Sequence, residues 1–346
     1  MPNPVPSYLL TGMLGAGKTT LLNRILRDPG GHRFAVLVND FGTIDVDGEF
    51  VETKDGPQLS LTNGCICCTI RDDFEEAILG LIRRNPDIDY LIVEASGVAD
   101  PKPIANTFLL SESLRELTRL DSVIAVIDCE AFALLRGEPA YLARRQAAAA
   151  DLVLLNKADL VSEKKLEMVQ ASLDSWVPRL RIFRCTHAQV PIELLLGNNR
   201  FREDQLPEGE PVEVHVHGQG SSCHDHHHGE HQLVLESWSY EEKGAFRTRA
   251  LASILKSLPA GVYRAKGFVA LQGEEDPVFQ VQLCGTRLDI RSVGQGKEIN
   301  GLVFLAEEGA VNFSDLKRDL IAATEASEQV SKSEELFEHV RRTLGG

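Results

Sequence analysis

The sequence predicts an α/β domain with a mostly parallel sheet, followed by a smaller α+β unit. Three observations carry that expectation. From Tyr8 to Cys185, short apolar runs of strand length alternate with stretches of helical period. A glycine-rich turn joins the first of these runs directly to a helical pattern. From Gly197 the composition turns polar, with Pro207, Gly209 and Pro211, and a strand-rich pattern resumes at Leu233.

The first run, Tyr8-Leu-Leu-Thr11, ends at Gly12, and Lys18-Thr19-Thr20-Leu21-Leu22 opens the helix. Gly12, Gly17, Lys18 and Thr19 fill the phosphate-loop template in the strand–turn–helix context that its mechanism requires, which makes the first domain a phosphate-loop NTPase. Glycines let backbone N–H groups curl round phosphates, and the helix N-terminus favours anions. Gly12, Gly15, Ala16, Gly17 and Thr20 belong to this cradle, Lys18 reaches the β- and γ-phosphates, and the Thr19 hydroxyl holds magnesium. The helix stops near Pro29-Gly30-Gly31.

Phe34 to Val38 is the second strand, and Asn39-Asp40-Phe41-Gly42-Thr43 leaves it at the position of a nucleotide-responsive loop. Asp40 and Thr43 read either as groups that reach magnesium or the attacking water, or as turn residues. Leu61 to Thr69 contains Cys65, Cys67 and Cys68. If that stretch is extended, Cys65 and Cys67 share a face and Cys68 turns in from the following bend. Three thiolates suit zinc, copper(I) or cobalt(II) and leave a fourth position open, as an ion that must be released requires. Asp72 to Arg84 is an amphipathic helix, with Phe74, Ile78, Leu81 and Ile82 on one face. Asp89 to Glu94 is an apolar strand ending in a carboxylate. At this order along a phosphate-loop domain, Glu94 is the magnesium-side acid, and Gly97 is the backbone that senses the γ-phosphate.

Ser122 to Ile127 and Leu152 to Leu155 are further buried strands, with a helix over Glu138 to Ala150 between them. Cys129 and Cys185 read as core residues. Asn156-Lys157-Ala158-Asp159 follows the fifth strand. A carboxylate such as Asp159 accepts both the ring N–H and the exocyclic amine of guanine, whereas adenine presents an acceptor where guanine has the ring donor. Asn156 serves the opposite edge of the base and the Lys157 stem covers it, so GTP is expected over ATP. A helix capped by Ser162 runs to Trp176, and Leu180 to Cys185 is the last strand of this domain.

The expected organisation is a nucleotide domain over 1–205, a His-rich linker over 206–232, an α+β domain over 233–325 and a charged helical tail over 326–346. The linker holds seven histidines between His215 and His231, with Cys223, Asp225 and Glu230. Such a tract cannot build a packed core; it is either a metal-collecting segment or a solvated spacer. In the second domain Ala245 to Leu258 is a helix, with Phe246, Ala250, Ile254 and Leu258 along one stripe. Four strands follow between Val262 and Leu305, and Ser314 caps a helix to about Ala323.

Composition excludes several classes. Acidic residues outnumber basic ones, 51 to 36, which argues against sequence-independent nucleic-acid binding. No apolar run reaches the length of a membrane span. Seven cysteines, three of them within four positions, do not make a disulfide framework and point to a reducing cytoplasm. The N-terminus shows no basic-then-apolar secretory pattern.

Together, Gly12 to Thr20, Asn39 to Gly42, Gly64 to Cys68, Glu94-Ala-Ser-Gly-Val-Ala-Asp-Pro101 and Asn156 to Asp159 resemble the CobW-type metal-chaperone GTPases. Val262 to Phe268 resembles that family's C-terminal domain. The resemblance covers almost the whole chain, and Cys-x-Cys-Cys is its most specific motif. It implies a GTPase that binds a transition metal, commonly zinc or cobalt, at Cys65, Cys67 and Cys68 and delivers it to a client metalloprotein. One departure stands out: many relatives read Asn-Glu-Phe-Gly-Glu where this chain has Asp40 and Thr43 in place of the two acids. The acidic-hydrophobic N-terminal docking motif of the relatives that serve methionine aminopeptidase is absent from the sequence, so that client is not expected. The expected catalytic set is Lys18, Thr19, Glu94 and Asp40, with slow intrinsic turnover. The rival reading is a passive metal buffer that stores ions in the histidine tract; the oligomeric state is open.

Overall fold

The computed structural model describes residues 4–39, 58–61, 68–196, 212–214, 235–241, 244–274, 278–293 and 301–324. The first unit runs β1 (Val5–Thr11), α1 (Lys18–Arg27), β2 (Phe34–Asn39), β3 (Gln58–Leu61), α2 (Cys68–Arg84), β4 (Tyr90–Ala95), α3 (Pro101–Leu110) and α4 (Glu112–Leu117). It continues through β5 (Thr118–Asp128), α5 (Cys129–Phe132), α6 (Gly137–Ala149), β6 (Leu152–Asn156), α7 (Glu163–Trp176), β7 (Ile182–Arg184) and α8 (Ile192–Leu196). Its seven strands lie in the order β3-β2-β4-β1-β5-β6-β7. Every neighbouring pair is parallel, so all carboxyl ends open on one side.

The apolar runs predicted from the sequence are these strands because helices cover both faces, which removes any need for polar alternation. Tyr8 and Leu10 face α1 through Leu21, Leu22 and Ile25. Leu9, between them, faces the opposite layer with Phe74, Ile78, Ile104 and Phe108. Ala125, Ile127, Val153 and Leu155 pack against α6 and α7. Ser162 caps α7 as expected, its hydroxyl accepting from Lys165 N–H.

The second unit comprises β8 (Val212–Val214), β9 (Leu235–Glu241), α9 (Thr248–Ser257), β10 (Val262–Val269), β11 (Phe279–Cys284), β12 (Arg287–Ser292), β13 (Gly301–Glu307) and α10 (Phe313–Thr324). Its antiparallel sheet has the order β12-β11-β10-β13-β9-β8. One face holds α9 and α10 around Trp238, Phe246, Leu251, Leu255, Phe304, Leu316 and Leu320.

Several details differ from expectation. The sheet of the first unit is parallel throughout. α2 starts at Cys68, four residues before the predicted Asp72. β3, α3, α4 and α8 had no sequence signal, and β8 falls inside the stretch read as linker. Phe246 is not on a helix; it bridges to Leu271 ahead of α9. The residue that caps α10 is Asn312, whose Oδ1 accepts from Ser314 and Asp315 N–H, rather than Ser314. Asn offers a carbonyl acceptor at the position where the chain enters the helix, whereas Ser314 is already inside it. The tail over 326–346 lies outside the described residues.

The second unit docks at the amino ends of the parallel strands. Asp121, near the start of β5, accepts from Arg264 Nη2 at 3.3 Å and pairs with Arg119, and its Oδ2 lies 3.2 Å from Tyr8 Oη, which shares its one proton between this oxygen and Leu196 O. Arg287 Nη2 donates to Asp151 Oδ2 at 2.6 Å, and Val123 N–H donates to the same oxygen at 2.8 Å. Arg264 Nη1 donates to Leu195 O, and Tyr8 Oη to Leu196 O, which fastens the end of α8 to the same place.

Candidate nucleotide site and metal motif

The turn after β1 lies at the carboxyl edge of the sheet. Gly17 has φ 109° and caps α1, and a Cβ there would strike Asn156 Nδ2, so the loop passes where only glycine fits. Ala16 N–H donates to Met13 O at 3.2 Å, closing the turn. Lys18 is the first residue of α1; it is buried, and its Nζ donates to Met13 O at 3.4 Å, so the ammonium folds over the loop. Thr19 Oγ1 donates to Glu94 Oε1 at 2.9 Å. Register explains that meeting: Leu10 pairs with Glu94 across β1 and β4, which brings the strand-end acid beside the helix start. A hydroxyl and a carboxylate side by side are hard oxygen donors of the kind magnesium takes. Thr11 Oγ1 and Ser96 Oγ, at the ends of the same two strands, are buried without a hydrogen-bond partner among the described residues. Unpaired buried hydroxyls mark an edge whose hydrogen bonding a bound group can complete.

The base side is built from β6 and the turn after β7. Asn156 is buried, and its Nδ2 donates to Ala16 O at 2.8 Å while its Oδ1 accepts from Ala188 N–H at 2.8 Å. The sequence reading gave Asn156 to one edge of the base. The structure places its side chain as a strut between the phosphate loop and the Thr186–Gln189 turn, using one of its two N–H donors. Cys185 Sγ also donates to Asn156 Oδ1, and burial pushes that thiol up to about 12, keeping the proton such a bond needs. Lys157 adopts φ 59° and pairs through Nζ with Asp128 Oδ2 at 2.7 Å. Burial works against the Asp128 charge, but the Lys157 hydrogen bond and the N–H groups of Ala131 and Glu130 bring its carboxyl below the usual value. The Lys157 stem is thereby fixed by Asp128, and Asp159, two residues on, is exposed.

Three residues of this site carry no motif signal. Arg24 Nε donates to His187 O at 2.7 Å, holding a turn in which His187 and Ala188 both have positive φ. Asp128 sets Lys157, and Gln146 reaches the segment after β4. Their partners lie far away in sequence, so no local pattern reveals them. Cys65, Cys67, Asp40 and Thr43 lie outside the described residues, as does the His215-to-His231 tract; Cys68 is placed as the first residue of α2. Cys129 and Cys185 are buried, in accord with their reading as core. Among the described residues no helix is long and apolar enough to cross a membrane.

The strand–loop–helix cradle with its Thr19–Glu94 contact and the Asn156 strut belongs to one class, the phosphate-loop GTPases. Residues 6–184 match the model of the CobW/HypB/UreG nucleotide-binding domain, and residues 235–324 match that of the cobalamin synthesis protein cobW C-terminal domain. The chain therefore belongs to the CobW/HypB/UreG family. It is 32% identical over 321 residues to the zinc chaperone CobW of Pseudomonas aeruginosa, covering 82% of each protein. It is 38% identical over 204 residues to the zinc chaperone YjiA of Escherichia coli, covering 58% of this chain and 63% of that one. The crystal structure of Zn(II)-bound YjiA GTPase from E. coli aligns with 93% of this chain and all of its own, at 24% identity and a TM-score of 0.43.

Proposed function

We propose that this GTPase is a metallochaperone that binds zinc or cobalt through Cys65, Cys67 and Cys68 and delivers the ion to a client metalloprotein. One observation carries the reading. β3 ends at Leu61 and α2 begins at Cys68, so the cysteine motif is bracketed by two elements at the carboxyl edge of the sheet, where the phosphate loop also lies. The names of the relatives favour zinc.

In this reading Lys18 and the amides from Gly12 to Thr20 hold the β- and γ-phosphates, and Thr19 and Glu94 hold magnesium. The ion, when bound, neutralises charge on the phosphates. Gly97 faces the γ-phosphate, Asp40 in the loop after β2 reaches magnesium or the attacking water, Lys157 and Asp159 cover and select guanine, and Asn156 braces the phosphate loop beside them. The metal ion is cargo: its affinity is high with GTP and falls after hydrolysis, when the client takes it.

Titrating zinc into wild-type and Cys67→Ala protein, each with a non-hydrolysable GTP analogue and with GDP, tests this. The wild type is expected to bind zinc at least tenfold more tightly with the GTP analogue, and the variant to lose that site. Equal affinity in both nucleotide states, retained by Cys67→Ala, would instead establish the passive buffer.

A further inference from the structure

We propose that Gln146, on α6, is a positioning residue for GTP hydrolysis, acting by fixing the peptide groups around Gly97. The inference rests on the reading of Gly97 as the γ-phosphate sensor. Gln146 is buried at 2% exposure, and its Nε2 donates to Gly97 O at 3.3 Å and to Ala99 O at 3.2 Å. Ala99 N–H donates to Ser96 O at 2.9 Å. The carbonyls of residues 97 and 99 are thus held from α6, and that of residue 96 by the turn itself. A planar trans peptide points its N–H opposite its C=O, so the amide of Val98 is turned away from α6. Gly97 itself lies against the phosphate loop: a Cβ built on it would come within 2.6 Å of Leu14 N and 2.7 Å of its Cδ2. A backbone N–H group held in one orientation beside a phosphate loop is a preorganised donor, whose value for a developing charge depends on that fixed orientation.

A second contact from the same helix supports the assignment. Arg145 pairs with Asp100, whose Oδ1 caps α3 by accepting from Lys102 N–H. Consecutive residues of α6 therefore grip both ends of the Gly97–Asp100 turn. Hydrophobic packing alone would not need a primary amide in a position so completely buried. An unmatched amide there would cost stability, and this one is matched to two carbonyls of the turn.

Gln146→Met removes the two hydrogen bonds while keeping the volume, and Gln146→Glu keeps the length but replaces donors by a carboxyl. For Gln146→Met, single-turnover GTP hydrolysis is expected to fall about tenfold or more, with GDP affinity close to wild type and the melting temperature lowered by the two carbonyls left unpaired. Gln146→Glu is expected to be at least as slow at pH 8. It should recover relative to wild type as pH falls, because a protonated carboxyl donates to Gly97 O; Gln146→Met should show no such recovery. Arg144→Ala, an exposed neighbour on the same helix, serves as the control. Wild-type hydrolysis in Gln146→Met overturns the inference. So does a parallel loss of GDP binding, hydrolysis and stability with no pH recovery in Gln146→Glu, which would make Gln146 a packing residue only. Gly97→Ala separates the parent reading: wild-type turnover in that variant removes Gly97 as sensor whatever Gln146 does.

Discussion

The two ends of the parallel sheet use polar residues in opposite ways. At the carboxyl end the loops carry groups set to meet a ligand: Lys18 over its turn, Thr19 against Glu94, Asp159 exposed, and the hydroxyls of Thr11 and Ser96 buried without partners among the described residues. At the amino end, charges are already matched: Asp121 meets Arg119 and Tyr8 of its own unit and Arg264 of the second, and Asp151 meets Arg287 of the second. The same strands thus finish in a reactive edge and a structural one. Substitutions at one edge should change chemistry with little effect on folding, and at the other the reverse.

Lys18→Ala offers the largest effect and the sharpest test of that division. Phosphate release is expected to fall at least ~100-fold, with the melting temperature shifted by only about 2 °C. A variant that lost stability to a comparable degree would break the contrast at its reactive edge.

Asp121→Asn comes next. Burial alone would raise this carboxyl, but the Arg119 charge and hydrogen bonds, helped by Arg264, hold it down at about 2. Leaving those guanidinium groups buried beside a neutral amide should cost ~3–5 kcal/mol in urea unfolding. Turnover by the folded fraction should stay unchanged. Loss of turnover without loss of stability would overturn the structural assignment.

Asp151 refines the comparison within the amino edge. Burial pushes its carboxyl up to about 6, and the charge of Arg287 with the Val123 N–H offsets this only in part. Its proton is held more tightly in the folded chain than in the unfolded one, where the value is ~3.9. Ionising it as pH climbs from about 4 to about 6 therefore works against the native state, by about 3 kcal/mol. Asp121 runs the other way: its contribution is complete above about pH 4 and is lost as pH falls towards 2. In unfolding experiments from pH 4 to 7, Asp151→Asn should gain on the wild type as pH rises. A constant difference would show that Arg287 fully compensates Asp151.

The carboxyl edge was largely legible in the sequence because each of its motifs directly follows a run of apolar residues. Gly12 to Thr19 follow β1, and Glu94 and Asn156 close the apolar runs of β4 and β6, strands that parallel packing makes largely hydrophobic. The amino edge was not legible. Thr118, Arg119 and Asp121 begin β5, yet they are too polar to read as strand, because what covers them comes from residues more than a hundred positions away. Gln146 and Arg24 were missed for the same reason, acting across 49 and 163 positions. The cap of α10 was misplaced by two residues because a serine signal outweighed the asparagine before it.

The docked edge also decides how the chain can be divided. Severed after Leu196, the nucleotide half would present Asp121 and Asp151 to water and strip the Leu195 carbonyl of Arg264. Tyr8, Leu194 and Leu195 would lose the cover of Leu235, Tyr263 and Leu305. An excised fragment would therefore be an unfinished protein, sticky and charged along one rim, although every motif for holding a nucleotide would still be intact.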